Sequence, residues 1–175
     1  MKVILAAAWI LTGLSGAALA CDVRASATFL EGAPRDRLVV KNLSAGEWTL
    51  TRADWLLARS QGRVLFDVTG AGAGVQVYQP FRIEKSEELL ARQPDVKDGD
   101  QALSLEFNGF GPGRDFVFSI DVDDQLQASE TIVDGTEMQG AEMVFAFVGP
   151  DGRTARLRGT FEVSSDAIVA SGCVS

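Results

Sequence analysis

The run Asp121-Val122-Asp123-Asp124 gathers three carboxylates at the end of an alternating stretch that begins at Asp115. Strand pleating places Asp121 and Asp123 on one face, opposite Ile120 and Val122. Two like charges on one face repel unless a cation or a basic neighbour compensates them. A second acidic group, Asp95, Asp98 and Asp100, lies around Gly99 ahead of the Leu103 stretch. Calcium takes six to eight oxygens, from carboxylates and backbone carbonyls, and a sandwich fold can bring both groups to one end. Asp121, Asp123 and Asp124 are the expected metal ligands, with Asp98 and Asp100 second, and calcium is the expected cofactor. No EF-hand loop is present in the sequence. The competing reading is a solvated acidic turn that also discourages edge pairing.

Other chemistries are poorly supplied. The chain contains no histidine, which removes Ser-His-Asp and Cys-His catalysis, zincin motifs and ordinary structural zinc. No P-loop and no GxGxxG in a strand-to-helix setting occurs, and Gly70-Ala71-Gly72-Ala73-Gly74 reads as a connection between strands. A carboxylate-pair glycan hydrolase remains formally open, because Asp and Glu are plentiful. Short loops leave little room for a deep cleft, so the expectation is a protein that is not an enzyme.

Residues 1–20 read as a secretory signal peptide. Lys2 supplies the positive start, Val3 to Leu14 the apolar stretch, and Ala18-Leu19-Ala20 the small-residue cleavage site. The mature chain then spans residues 21–175 as one domain, periplasmic or extracellular, with no stretch long enough for a transmembrane span. The rival is a lipoprotein anchored through Cys21, but Ala18 stands where such sites usually have leucine. Losing Lys2 takes the 16 basic residues to 15 against 24 acidic ones, a net charge of −9. That acidity argues against nucleic acid and anionic membranes as partners. The two cysteines, Cys21 and Cys173, sit near the two ends of the mature chain, and an even count in an exported protein favours a disulfide between them. Closing so long a loop removes about 5 kcal/mol of unfolded-state entropy in the simple chain model.

The elements that must position these groups are strands. Period-two alternation is clearest over Thr154 to Val163, with Ala155, Leu157, Gly159, Phe161 and Val163 on one face. Phe116, Phe118, Ile120 and Val122 mark a second strand, Leu103, Leu105 and Phe107 a third, and Met143, Phe145 and Phe147 a fourth. Further strands are expected at Val23–Leu30, Arg37–Leu43, Trp48–Arg59, Arg63–Val68, Val75–Ile83 and Ala167–Cys173. Turn signals separate them, among them Gly32-Ala33-Pro34, Gly111-Pro112-Gly113 and Pro150-Asp151-Gly152, the last a hairpin. About ten short strands indicate an all-β, single-domain antiparallel β-sandwich, Ig-like or jelly-roll-like. The one short helix is expected near 86–92, with Ser86 as its N-cap and Pro94 beyond its end. Trp48, Trp55, Phe66, Tyr78 and Phe81 are read as core in preference to a sugar-stacking surface, Trp55 least securely. Asn42-Leu43-Ser44 matches a glycosylation sequon.

Several stretches carry a family resemblance. They are Leu65-Phe66-Asp67-Val68-Thr69-Gly70 through Gly74-Val75-Gln76-Val77 to Pro80-Phe81, Asp98-Gly99-Asp100, Phe118-Ser119-Ile120-Asp121-Val122-Asp123-Asp124, and Gly140-Ala141-Glu142. Together, over roughly Thr28 to Val163, the chain resembles small exported bacterial proteins labelled aggregation factor core protein. That label reflects similarity to a domain of the sponge aggregation factor, an extracellular complex of calcium-dependent cell adhesion. The resemblance implies a non-catalytic adhesion, matrix or cell-surface aggregation module, linked to calcium, whose partner is an extracellular protein or glycan. The alternatives are a periplasmic structural or chaperone-like subunit acting by strand contacts, which an exposed, uncharged edge strand would favour, and the glycan hydrolase.

Overall fold

In a computed structural model, the structure describes residues 22–32, 35–70, 78–125, 133–162 and 167–173. The expected signal peptide 1–20, Cys21, most of the Gly70–Gly74 run and Val163 lie outside them. The fold is all-β, with eleven strands among the described residues, in antiparallel sheets. They are β1 (Val23–Leu30), β2 (Asp36–Asn42), β3 (Thr49–Leu56), β4 (Leu65–Phe66), β5 (Arg82–Lys85), β6 (Ala102–Phe110), β7 (Asp115–Ile120), β8 (Val122–Asp123), β9 (Glu142–Val148), β10 (Thr154–Thr160) and β11 (Ala167–Gly172).

A five-stranded sheet runs β11-β1-β2-β7-β5 and a four-stranded sheet β10-β9-β3-β6, while β4 and β8 make a two-stranded ribbon of their own. Inward residues of both larger sheets meet in one core. Ala25, Ala27 and Phe29 of β1, Leu38 and Val40 of β2, and Phe116 and Phe118 of β7 face Leu50, Ala53 and Trp55 of β3 and Phe145 and Phe147 of β9. Trp55 lies at its centre, 1% exposed, with ring centroids 5.5 Å from Phe66, 6.1 Å from Phe29 and 6.3 Å from Phe118. The residue read least securely as core is fully buried, because rings from three other strands, Phe29 of β1, Phe66 of β4 and Phe118 of β7, pack around it. Tyr78 goes the other way and is 45% exposed.

The two larger sheets come together along one side at β10 and β11. An added Cβ on Gly159 would stand 2.0 Å from Ile168 Cγ2, and one on Gly172 would stand 2.6 Å from Leu157 Cδ2. Glycine at these positions is what lets the strands approach so closely.

Several expectations change in detail. The stretch expected as one strand to Asp124 breaks at Asp121: β7 ends at Ile120 in the five-stranded sheet, and β8 pairs with β4 instead. Strand is confined to Leu65–Phe66 within 63–68 and to Arg82–Lys85 at the end of the 75–83 run, of which 75–77 lie outside the described residues. The expected helix is a single 3-10 turn, Glu87–Leu89, and Ser86 before it is left-handed, with φ 63°, and makes no side-chain cap. A short segment tied on both sides to strands has no room to nucleate more turns. Asn42 of the sequon is fully buried, and its Nδ2 donates to the Trp48 and Phe110 carbonyls, each at 2.8 Å. Its amide is therefore a corner fastener between β2, β3 and β6 and is closed to glycan attachment.

Candidate functional site

The ribbon builds the site. Leu65 pairs with Asp123 and Phe66 with Val122, and the Asp67 N–H continues the pairing by donating to the Asp121 carbonyl at 3.2 Å. Asp67, Asp121 and Asp123 therefore share one face of the ribbon, Asp67 opposite Asp121 and diagonal to Asp123. Gln79 ties in a third segment, its N–H donating to the Asp67 carbonyl at 3.3 Å and its carbonyl accepting from the Asp121 N–H at 3.2 Å. The strand β2 brings a fourth carboxyl, because Asp36 pairs with Ile120 next to the break. Asp36, Asp67, Asp121 and Asp123 are all buried, at 5%, 2%, 4% and 2% exposure, and Asp124 follows at 8%.

Burial governs the electrostatics. Burial foremost, then the Asp123 and Asp36 charges, raises the Asp121 carboxyl to about 8. Asp36 is raised to about 7 by burial, against hydrogen bonds from the Gly32 and Val122 N–H groups that favour its charged form. Asp67 is raised to about 6 by burial, by the Asp123 charge and by a hydrogen bond between the two side chains. A carboxyl–carboxyl hydrogen bond requires a shared proton. None of the leading influences on Asp36, Asp67 or Asp121 is a basic side chain. Asp115, by contrast, has Lys85 Nζ at 2.8 Å, and its carboxyl is lowered. Asp67 Oδ1 and Asp121 Oδ2 are buried and accept no hydrogen bond among the described residues.

The structure thus joins Asp121 and Asp123 with two carboxyls that the sequence reading passed over, Asp36 and Asp67. The sequence held a signal for Asp36, which shares the parity of the inward Leu38, Val40 and Asn42. Asp98 and Asp100 reach the other edge of β4: the Gly99 N–H donates to the Phe66 carbonyl at 2.9 Å and the Phe66 N–H to the Asp100 carbonyl at 3.0 Å. Their side chains are committed elsewhere. Asp98 Oδ1 accepts from the Val68 and Thr69 N–H groups at 2.7 Å, and the Thr69 hydroxyl holds its carboxyl below the usual range. Asp100 Oδ2 accepts from the Lys97 N–H at 2.9 Å. Asp98 still acts on Asp67 through its charge. Among the described residues, no three acidic or thiol side chains already stand together as a metal-binding group.

A hydrolase would need two facing carboxyls in a cleft. Asp95 and Glu106 do line a cavity of about 210 Å³, but Glu106 pairs with Arg92 at 2.9 Å and Asp95 with Lys97 at 3.8 Å. Cys173, directly after β11, is disulfide-bonded. Among the described residues, no helix is long and apolar enough to cross a membrane. Comparison with protein-family models, curated proteins and solved structures gave no match.

Proposed function

We propose that this chain is an exported, non-catalytic β-sandwich module of the adhesion or matrix type, whose acidic ribbon takes up calcium. The observation that carries the reading is the pair Asp67 Oδ1 and Asp121 Oδ2, buried among carboxyls without a hydrogen bond among the described residues and with no basic side chain among the leading influences on either. Buried carboxylates are stable only when compensated, and two compensations suit this site. Protons hold it neutral in acid, and a hard divalent cation would hold it at neutral pH. Asp67, Asp121 and Asp123 are the donors nearest to hand, with carbonyls and water completing the shell. Bound calcium would fasten β4, β8 and the segment at Gln79 together, presenting the neighbouring loops to an extracellular protein or glycan. The family resemblance points to the same class.

The reading includes export and a Cys21–Cys173 bridge. Pairing of Val23 with Gly172 supports the bridge, since the two cysteines flank that pair in sequence. A second reading, a structural subunit acting by strand contacts, is favoured by one observation: among the described strands β11 ends its sheet, and it carries no charged residue.

The test is the thermal midpoint of the oxidised mature chain in EDTA and across a calcium titration, with sodium and magnesium controls. Saturation to a hundred times Kd would add about 2.7 kcal/mol of stability. Asp121→Asn and Asp123→Asn should abolish the rise. A midpoint unmoved by millimolar calcium, or a full rise retained in both variants, would sink the calcium reading.

A further inference from the structure

Charge is shared unevenly between the two outer faces of the sandwich. On the four-stranded sheet the outward strand positions balance, with Arg52, Arg156 and Arg158 against Asp54, Glu106 and Glu142. On the five-stranded sheet they carry five bases, Arg24, Arg37, Lys41, Arg82 and Lys85, against two acids, Glu84 and Asp115. All five bases are exposed. Both acids are already matched, Asp115 by Lys85 Nζ at 2.8 Å and Glu84 by Arg37 Nε at 4.0 Å. Arg24, Lys41 and Arg82 make no ion pair among the described residues, although Lys41 bears on Asp115 through its charge. Edge protection does not explain the cluster, because Arg24, Arg37 and Lys41 stand on β1 and β2, which are inner strands. A molecule of net charge −8 thus gathers three uncompensated bases on one face.

We propose that this outer face docks an anionic polysaccharide, one that bears a carboxylate or sulfate on every sugar or every second sugar. The proposal rests on the exported, matrix-type reading for where the partner is met, and it makes no use of the calcium ribbon.

The bases form a diagonal track from Arg24 through Lys41 and Arg37 to Arg82. Lys41 lies opposite Ser26, so Arg24 is its diagonal neighbour at about 7–8 Å. Arg37 follows four residues along β2, about 13 Å away, and Arg37 and Arg82 flank Ser119 two strand spacings apart, about 10 Å. A sugar chain spaces its anionic groups by whole rings, which is the same scale. Duplex DNA carries one charge per about 1.7 Å of axis, far denser than the track, and the acidic body of the protein repels it. Chemistry narrows the occupant further. No outward strand position of this sheet is aromatic, so a neutral sugar finds no ring to stack on. A protein partner would likewise lack the aromatic anchors on which such interfaces are built.

The experiment is calorimetric titration of the oxidised chain with chondroitin sulfate in EDTA at low salt, beside neutral dextran, duplex DNA and phosphatidylserine vesicles. Binding is expected for chondroitin sulfate alone, and it should vanish near 1 M salt, where screening acts within about 3 Å. Reversing two exposed charges in Lys41→Glu/Arg82→Glu should weaken it about tenfold or more, with an unchanged circular dichroism spectrum. Arg156→Glu, on the other sheet, should leave it unchanged. Should the double variant misfold, Arg24→Glu carries the test with a loss of about threefold. No binding at low salt, indifference to the reversals on the track, an equal loss in Arg156→Glu, or tighter binding of DNA or vesicles would overturn the proposal. A chain that is stabilised by calcium yet ignores the polysaccharide would overturn this inference alone, whereas binding in EDTA without any calcium response would overturn only the calcium reading.

Discussion

Asp121→Asn should stabilise the metal-free protein at neutral pH, against the usual expectation for replacing a buried polar residue. The Asp121 carboxyl titrates near 3.8 when unfolded and near 8 when folded. A group raised in this way gives its full stability below pH 3.8 and loses it steadily as pH climbs toward 8, because the unfolded chain releases the proton first. At pH 7 the loss from this one group is about 4 kcal/mol, at 1.36 kcal/mol per pKa unit. Part of the shift comes from Asp123 and Asp36, so the recoverable share is about 2–4 kcal/mol, or about 5–15 °C in midpoint for a domain of this size. Asparagine keeps the shape, carries no charge at any pH, and can donate to the facing carboxyls. The assay is urea unfolding in EDTA at pH 4, 5.5, 7 and 8.5. The two proteins should converge at pH 4 and diverge progressively above it. A constant difference across that range, or a less stable variant at pH 7, would refute the electrostatic account. In saturating calcium the order should reverse, since the variant loses a donor.

Two further predictions concern the frame. Reducing the disulfide should lower stability by about 2–5 kcal/mol, read as a fall in urea midpoint, and non-reducing peptide mapping should recover Cys21 joined to Cys173. Asn42→Ala should cost about 2–4 kcal/mol, because it strands the buried Trp48 and Phe110 carbonyls that the Asn42 amide satisfies; thermal unfolding checks it, and a loss under about 1 kcal/mol would mean water replaces the amide.

The strands were legible wherever one face is buried and the other wet. In β10 the alternation runs from Ala155 through Leu157 to Gly159, inside against outside, and survives intact in the fold. Legibility failed where burial is two-sided or pairing is short. Ile120 through Asp124 are all buried, because the chain passes there from the five-stranded sheet to the ribbon and is covered on both faces. Pleating alone put Asp121 and Asp123 on a solvent face; the cover comes from Asp67 and Gln79, more than 40 residues earlier in sequence. Pairings of that kind leave no local period to read. The acidic run itself was visible at once, yet half its company was not. Asp36 sits in a strand whose parity marks it as inward, and Asp67 lies in a stretch too short for parity to mean anything.

The ribbon has a kinetic consequence. Two residue pairs and three backbone bonds of 3.2–3.3 Å hold its carboxyl-bearing side, and two more, of 2.9 and 3.0 Å, tie Phe66 to Gly99 and Asp100, whereas each strand of the larger sheets is held by a longer register. Local opening free energies follow such differences. The ribbon should therefore be the first part of the fold to open, and its amides should exchange with solvent while those of β1, β2 and β9 remain protected. Each opening would hydrate the four carboxyls and let their protons equilibrate. The rate at which the cluster exchanges protons or ions is then set by breathing of the ribbon, not by diffusion to its surface.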